Sequence, residues 1–328
     1  MNIRNITLPE NSGVIVCYGG GVDSTAMLIA LRDQGIRPDL ITFADTGGEK
    51  PETYDTVRIM DDWLVRQGFP TVTWCKKVTL DTTPYEDLGG NCEENETLPS
   101  LAFGMKSCSI KWKQTPQDYI VKGCKSGPNQ RDPHPLWIRA QLRTHKLVKL
   151  IGYDNGKADI RRANKVKRED KDFLYSYPLQ DLAMTRKDCI ALIVEEGLPV
   201  PIKSACFFCP ASQKWELWWL AGAHPDLFMK ALRIEHNAML GKHSRWGSDE
   251  CTYDKEWEIL VSQPADQWPT TSITVGLGRS FAWNHWAREN NIVSRETGTF
   301  IADREHCLAM AEKLQLDGGN AADKRACA

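Results

Sequence analysis

A glycine-rich turn between a predicted strand and a predicted helix constrains the fold of this chain more than any other feature. The apolar run Val14–Tyr18 predicts a buried strand, and it stops at three consecutive glycines. Apolar residues at helical spacing follow from Ser24 to Gln34, where Gly35 is a typical helix stop. A strand that leads through a short turn into a helix begins a β-α-β unit, so we expect an α/β fold.

The same alternation continues along the first half of the chain. Further strands are predicted at Asp39–Ala44, Thr71–Cys75 and Lys146–Ile151, and a helix is predicted from Pro51 to about Gln67. We therefore expect a Rossmann-like, doubly wound parallel sheet. Later helices are predicted at Pro116–Lys122, Thr185–Glu196, Trp215–Leu220 and Pro225–Leu240. The last residues, Asp317–Ala328, are predicted to form a frayed polar tail.

Composition excludes several classes of protein. The 328 residues are 41 % hydrophobic and 26 % charged, with a formal net charge of −2, so there is no overall electrostatic reason for a nucleic-acid or membrane partner. No apolar run has the length of a membrane span, and the first residues lack a signal-peptide core. We expect a cytoplasmic protein without a membrane partner. Eleven cysteines, an odd number, argue against a disulfide framework.

The glycine turn has the chemistry of a phosphate-binding loop. Glycines let the backbone approach a phosphate closely, and the helix that follows points its N–H groups and positive dipole end at the anion. The carboxylate of Asp23 fits such a loop if it orients the backbone or binds Mg²⁺. The alternative is a glycine-rich turn without a ligand. The predicted nucleotide-binding residues of this loop are Gly19, Gly20, Gly21, Val22, Asp23, Ser24 and Thr25.

Gly19–Ser24 resembles the Ser-Gly-Gly-x-Asp-Ser signature of the PP-loop ATP pyrophosphatases, part of the adenine nucleotide α-hydrolase-like (HUP-type) superfamily. These enzymes cleave ATP between the α and β phosphates. The resemblance implies that ATP, or a related adenine nucleotide, binds here with Mg²⁺. This chain has Gly19 where the family usually has Ser, so one hydroxyl that contacts phosphate is missing.

A second loop narrows the resemblance to the PAPS reductase-like group, whose reductases act on phosphoadenosine phosphosulfate (PAPS). Asp45–Tyr54 is similar to their Asp-Thr-Gly…Pro-Glu-Thr segment and follows a predicted strand, where ligands of open sheets bind. Asp45 is suited to accept a hydrogen bond from a ribose hydroxyl. An ordinary βα loop with Pro51 at a helix start is the alternative. The predicted nucleotide-binding residues here are Asp45, Thr46, Gly47 and Gly48.

A third segment, Ile151–Arg162, carries a glycine, acidic residues and two arginines after a predicted strand. Arg161 or Arg162 can pair with phosphate or sulfate through a bidentate fork, and the alternative is a solvated run of charge. The three loops together predict Asp23, Ser24 and Arg162 as catalytic residues. We expect residues 1–200 to form the nucleotide-binding domain. Residues 201–328 are predicted to form a mostly helical region that contains the Cys-x-x-Cys pair and many tryptophans.

Three cysteines are predicted metal ligands. Cys206 and Cys209 form a Cys-x-x-Cys pair, a spacing that lets two thiolates meet at one metal ion or cluster. The segment around Cys108 resembles one that adenosine phosphosulfate (APS) reductases combine with a later Cys-x-x-Cys to hold a [4Fe–4S] cluster. Some PP-loop tRNA thiolases use three cysteines for a cluster. A Zn²⁺ site completed by His224 or Cys251, and a pair without metal, are the alternatives.

These resemblances imply an enzyme that adenylylates an acceptor, releases pyrophosphate and transfers sulfur. A nucleobase is the expected acceptor, and a sulfur donor protein is an expected partner. One alternative is a reductase that binds APS or PAPS, although the Glu-Cys-Gly-x-His motif of its nucleophile is missing at both Cys251 and Cys327. The other is a non-catalytic nucleotide-binding module. Trp283 and Trp286 are interpreted as core residues, with stacking on a base as the alternative.

Overall fold

A computed structural model gives the structure of residues 5–9, 11–165, 167–240, 276–278 and 281–321. Residue contacts divide the chain into two compact units. The first comprises residues 1–80 and 111–205, and the second comprises residues 81–110 and 206–328. The second unit thus takes up residues 81–110 in addition to the C-terminal region. Within the described residues, no helix combines the length and the apolar character needed to cross a bilayer.

The first unit is built on a five-stranded sheet. Its strands are β1 (Val14–Tyr18), β2 (Leu40–Asp45), β3 (Val72–Lys76), β4 (Leu147–Ile151) and β5 (Phe173–Ser176). They lie in the order β3-β2-β1-β4-β5, and every neighbouring pair is parallel. Strands of such a sheet are covered on both faces, which explains why β1 is a nearly continuous apolar run. The expected α/β class with a parallel sheet is confirmed.

Helices cover both faces of this sheet, because alternate strand residues face two separate cores. On one face Val14, Val16 and Tyr18 join a core formed with three helices, which span Val22–Asp33, Pro51–Arg66 and Arg186–Glu195. On the other face Ile15 packs in a core with Val121 and the helix after it. The helices of this unit are α1 (Val22–Asp33), α2 (Pro51–Arg66), α5 (Thr115–Lys122), α6 (Pro135–Leu142), α7 (Lys157–Lys165), α8 (Pro178–Asp181) and α9 (Arg186–Glu195).

The described part of the second unit is helical. Its helices are α3 (Leu88–Glu94), α4 (Ser107–Ser109), α10 (Lys214–Ala223), α11 (Pro225–Leu240) and two further helices, Trp283–Glu289 and Arg304–Ala321; a short 3₁₀ turn lies at Ser100–Phe103. The last helix reaches Ala321. The prediction that the chain frays from Asp317 is therefore wrong as far as Ala321.

The tryptophans of this unit serve its core. Trp283 is completely buried, and Trp286 packs edge-to-face against Trp218 with ring centroids 5.4 Å apart. Stacking of Trp283 or Trp286 on a base is therefore wrong for this arrangement, because neither ring face is open. Trp218 lies on the buried face of α10, whereas Trp215 is only half-buried.

Candidate nucleotide-binding site

The strand order places two predicted loops side by side. The order reverses between β1 and β4, which are hydrogen-bonded neighbours with Cys17 beside Ile151. In open parallel sheets, ligands bind outside the carboxyl ends of the strands at such a switch point. The glycine loop follows β1 and the Gly152–Gly156 segment follows β4, so both border the position where this topology favours a ligand.

The glycine loop turns its backbone donors inward. The N–H groups of Gly19 and Gly21 both point to Ser24 Oγ, at 3.2 and 3.3 Å, and this hydroxyl donates to the Gly21 carbonyl. Helix α1 starts directly afterwards, since Thr25 N donates to Gly21 O at 3.0 Å. The unpaired N–H groups of the first helical turn add a positive dipole end. The two glycine donors thus converge on one acceptor, and a phosphate oxygen that replaced Ser24 Oγ would accept both hydrogen bonds.

Two glycines are required by the geometry of this loop. Gly20 has φ of +70°, and a Cβ there would lie 2.9 Å from the Thr53 methyl group. Gly152 faces the start of α1 so closely that an added Cβ would lie 2.8 Å from Ser24 N. A side chain at either position would displace the backbone that forms the anion site.

Three carboxylates meet beside the loop. One oxygen from each of Asp23, Asp154 and Asp159 lies within 4.8 Å of the other two, and among the described residues this is the one group of three potential metal ligands at that spacing. Asp23 Oδ2 accepts a hydrogen bond from Arg186 at 2.7 Å, whereas its buried Oδ1 has no hydrogen-bond partner. A divalent cation bound by oxygen ligands is the species that such a cluster fits.

The carboxylates disturb one another. Burial raises the pKa of Asp23 to about 6; Arg186 opposes this rise, and Asp154 and Asp159 add to it. Burial likewise raises the pKa of Asp159, against the pull of Arg162. Raised pKa values in a cluster of this kind mark a site where charge is left uncompensated by the protein itself.

Arg162 lies beside this cluster. Its guanidinium donates to Asp159 Oδ1 at 2.8 Å and is otherwise mostly exposed. It is therefore held near the loop through a carboxylate, and it is not among the groups that line the glycine turn. Its predicted catalytic role remains a prediction.

The second predicted loop is held by bonds within itself. Asp45 Oδ1 accepts hydrogen bonds from Gly47 N and Tyr54 Oη, both at 2.8 Å. Thr46 is buried, and its hydroxyl donates to Glu49. Gly48 N in turn donates to the Thr46 hydroxyl at 3.3 Å. The loop is thus ordered by its own side chains, and its contact with a nucleotide remains a prediction.

The predicted metal-binding cysteines belong to the second unit. Cys206 and Cys209 share one tight turn, in which Cys209 N donates to Cys206 O at 3.0 Å. Cys108 N is held by Ser100 Oγ at 2.9 Å. Cys92, in α3, is buried, and this burial, with a smaller contribution from the nearby Cys108, raises the pKa of its thiol to about 12. The described thiols form no group of three within 4.8 Å of one another.

Sequence reasoning did not assign Asp154, Asp159, Arg186 or Cys92 to these sites. Asp154 and Asp159 fall inside the third segment, where the acidic residues were noted without a metal role. Arg186 has no local signal, since it follows the cap of a helix far along the chain and reaches Asp23 only in the folded protein. Cys251 and Cys327, which were considered as a zinc ligand or as the nucleophile of a reductase, lie outside the described residues.

No protein-family model matches this chain, and no curated protein is detectably similar to it. Among solved structures it is similar to the U34-tRNA thiolase NcsA from Methanococcus maripaludis with its [4Fe–4S] cluster. The identity is 15 %, the TM-score is 0.35, and the likeness covers 78 % of this chain and 83 % of that chain. A likeness this weak carries no argument about function. The α/β fold stands on the observed sheet order and the helices on its two faces.

Proposed function

We propose that this chain binds Mg²⁺–ATP at the switch point between β1 and β4 and cleaves it between the α and β phosphates, transferring the adenylyl group to an acceptor. The observation that carries the proposal is the group of Asp23, Asp154 and Asp159 beside a glycine loop with converging N–H donors. Phosphate and carboxylate repel each other unless a cation lies between them, so the two features fit one ligand only when that ligand includes a divalent metal.

The donor set suits Mg²⁺. Mg²⁺ takes oxygen ligands, keeps several waters and is usually held by one or two carboxylates together with substrate phosphates. Asp23 Oδ1 is buried without a hydrogen-bond partner, as expected for an atom that faces a cation. We assign the metal to Asp23 and Asp154, with Asp159 held by Arg162 at the edge of the cluster. When bound, the metal supplies neutralisation of charge on the phosphate oxygens.

The roles of the protein groups follow from the chemistry. An oxygen of the acceptor attacks the α-phosphorus, the bond from the α-phosphorus to the bridging oxygen breaks, and pyrophosphate leaves with the electron pair. The start of α1 binds the leaving pyrophosphate, together with the N–H groups of Gly19 and Gly21, which exchange Ser24 Oγ for a phosphate oxygen. Before the nucleotide binds, Ser24 orients the loop through its contacts with both glycines. Arg162 and Arg186 provide positive charge near the developing negative charge.

We further propose that the acceptor is a nucleobase carbonyl, whose oxygen is activated by adenylylation and then replaced by sulfur. The support for this step is the motif resemblance and the group of cysteines in the second unit, with sulfur supplied by a donor protein. A [4Fe–4S] cluster held by Cys108, Cys206 and Cys209 is the metal group that we propose here, with Zn²⁺ as the alternative.

The first experiment measures nucleotide binding by calorimetry with and without MgCl₂. We expect ATP to bind with a Kd in the micromolar range, equivalent to about −8 kcal/mol, only when Mg²⁺ is present. Asp154→Asn should weaken binding about tenfold or more, and Asp55→Asn, at an exposed position paired with Arg58, should not change it. Binding that is equally tight in EDTA, or unaffected by Asp154→Asn, would contradict the metal site.

A second experiment distinguishes the activities. The proposal predicts pyrophosphate release from ATP when a tRNA pool is present, and no sulfite from APS or PAPS with thioredoxin and a reducing system. Cys327→Ala should have no effect on the activity. Sulfite release that Cys327→Ala abolishes would make the protein a reductase. Tight Mg²⁺–ATP binding without turnover on any acceptor would favour the non-catalytic module.

A further inference from the structure

Glycine at position 19 is not imposed by the backbone. Gly19 is absent from the glycines with positive φ, so an L-residue fits its conformation. A Cβ there would lie 3.7 Å from Ser24 Oγ and 3.9 Å from Ser204 Oγ, which are ordinary contacts. There is room for a serine at this position, although the chain does not have one. Two hydroxyl groups instead lie within 4 Å of the place where its side chain would begin.

Ser204 belongs to a distant part of the sequence and yet borders the phosphate loop. A Cβ added to Gly21 would lie 2.8 Å from Ser204 Oγ and 3.6 Å from Ser204 Cβ. The serine side chain therefore occupies the space beside Gly21, and a side chain at position 21 would have to displace the Ser204 hydroxyl, although the φ of −112° suits other residues. Ser204 Oγ thus lies beside Gly19 and Gly21, the two residues whose N–H groups converge in the glycine loop.

The backbone at this serine is anchored by a buried lysine. Lys50 is only 3 % exposed, and its Nζ donates to the carbonyl of Lys203 at 3.2 Å. Lys50 itself directly precedes α2, at the end of the second predicted nucleotide loop. Ala205, on the other side of Ser204, is buried. The serine is therefore fixed between two anchored neighbours, while its own hydroxyl enters no hydrogen bond among the described residues.

We propose that Ser204 supplies the phosphate-binding hydroxyl that position 19 lacks. Its Oγ donates a hydrogen bond to the pyrophosphate portion of a nucleotide bound in the glycine loop, together with the N–H groups of Gly19 and Gly21. The inference rests on the proposed function, since it concerns a ligand of the same loop. A hydroxyl supplied from a remote segment replaces one that the local motif has lost, so the missing serine does not signify a missing function.

The test uses the full chain and measures the affinity of Mg²⁺–ATP and of Mg²⁺–pyrophosphate by calorimetry. Ser204→Ala should weaken both about tenfold, because a hydrogen bond to a charged group is lost. AMP, which lacks the pyrophosphate portion, should bind the parent and the variant equally. Adding Gly19→Ser to Ser204→Ala should recover most of the lost affinity, since the new side chain starts within reach of the same region.

Ser12→Ala is the matched control, because Ser12 precedes β1 and lies at the opposite end of that strand. Thermal unfolding of each variant shows whether it folds like the parent. If the parent binds ATP and pyrophosphate but Ser204→Ala binds them equally well, the role of Ser204 is wrong and the site stands. If Gly19→Ser fails to restore binding in a folded double variant, Ser204 serves only to shape the loop. A parent that binds neither ligand overturns both proposals.

Discussion

At the scale of single residues, a comparison of two glycines distinguishes the effect of backbone strain on stability from an effect on nucleotide binding. Gly20 and Gly35 lie at opposite ends of α1, and both have positive φ, at +70° and +66°. A Cβ at Gly20 would lie 2.9 Å from the Thr53 methyl group, whereas one at Gly35 meets nothing within 4 Å. The two positions thus share the cost of a left-handed conformation, and only one of them adjoins the candidate site.

We predict that Gly20→Ala and Gly35→Ala each lower the free energy of unfolding by about 1–2 kcal/mol, the cost of a left-handed alanine. Gly20→Ala should in addition weaken Mg²⁺–ATP binding about tenfold or more, because the added methyl group moves the loop. Denaturant unfolding and calorimetry on the same samples give the two quantities. Equal affinity in the two variants would remove the loop from the site.

The pKa of Asp23 gives a prediction about pH. Since burial raises this pKa from 3.8 to about 6, the folded protein holds the proton more tightly than the unfolded chain. Without metal, this group therefore contributes stability that is complete below pH 4 and is lost as the pH rises through about 6. Mg²⁺ binds the ionised form, so stabilisation by metal should appear above pH 6 and disappear below it.

Thermal unfolding at pH 5 and pH 7.5, with and without MgCl₂, measures this effect. At 100 times its Kd, Mg²⁺ should stabilise the protein at pH 7.5 by about 2.7 kcal/mol. Asp154→Asn is the control: with an affinity about tenfold lower or more, it should be stabilised at pH 7.5 by about 1.4 kcal/mol or less at the same MgCl₂ concentration. A metal-dependent shift that is as large at pH 5 as at pH 7.5 would contradict the assignment of Asp23 as a ligand.

Residues could be predicted where their signal is local. The glycine loop shows itself in a short stretch of sequence, because strand, turn and helix follow one another. Asp159 and Arg186 join the site only through the adjacency of β1 and β4 and the packing of α9 on α1, which no short window contains. Ser204 gives no signal at all, since a single serine before a Cys-x-x-Cys has no pattern of its own.

At the scale of elements, four of the five strands could be predicted because their apolar runs are bounded by turns. β5 was missed, since Phe173–Ser176 is short and follows a charged run. Helix α7 was missed for a similar reason: its residues Lys157–Lys165 are mostly polar. The order of the strands could not be read from the sequence, because each strand pattern is silent about its neighbours.

A buried glutamate ties three segments of the second unit together. Glu235 in α11 is completely buried and accepts hydrogen bonds from Leu277 N, Trp283 N and both the backbone and side-chain nitrogens of Asn284. Burial raises its pKa, and the four donors oppose that rise. Because all four hydrogen-bonding partners of Glu235 are donors, this position suits a carboxylate. An amide N–H at the same place would face other N–H groups.

We predict that Glu235→Gln lowers the free energy of unfolding by about 3 kcal/mol, because the new amide group faces buried N–H donors that lose their acceptor. Chemical denaturation followed by tryptophan fluorescence reports mainly this unit, since eight of the twelve tryptophans belong to it. Glu312→Gln, on an exposed position of the last helix, should change stability by less than about 0.5 kcal/mol. If the two changes lowered the free energy of unfolding by similar amounts, the hydrogen bonds of Glu235 would not be important for the stability of this unit.

At the scale of the whole molecule, we propose that the residues of the first unit bind Mg²⁺ and the nucleotide phosphates, and that cysteines of the second unit bind an iron–sulfur cluster. Nine cysteines lie among the described residues, and all are thiols. Cys108, Cys206 and Cys209 were predicted ligands, and Cys92 adds a fourth thiol near Cys108. The three-cysteine prediction left the fourth ligand open, and Cys92 is the thiol to test for that position.

Protein purified without oxygen should therefore contain iron and inorganic sulfide and absorb in the visible range. Cys206→Ala should lose most of the metal and unfold at a lower temperature, because metal binding and folding are coupled. Cys92→Ala should lower the metal content as well, whereas Cys124→Ala, in the first unit, should retain it. Full metal content in Cys206→Ala would exclude the site, and colourless protein with zinc would exclude the cluster.

The parallel register of β1 and β4 has a consequence for how the sequence of this protein can diverge in evolution. Cys17 and Ile151 are neighbours through main-chain hydrogen bonds, so the interval between the loops that carry Asp23 and Asp154 is set by the spacing of strands, about 4.8 Å. That interval does not depend on which apolar side chains fill the two cores. The hydrophobic interior can therefore drift among residues of similar volume while the ligand site keeps its dimensions, and sequence divergence in the core should outpace divergence in metal affinity.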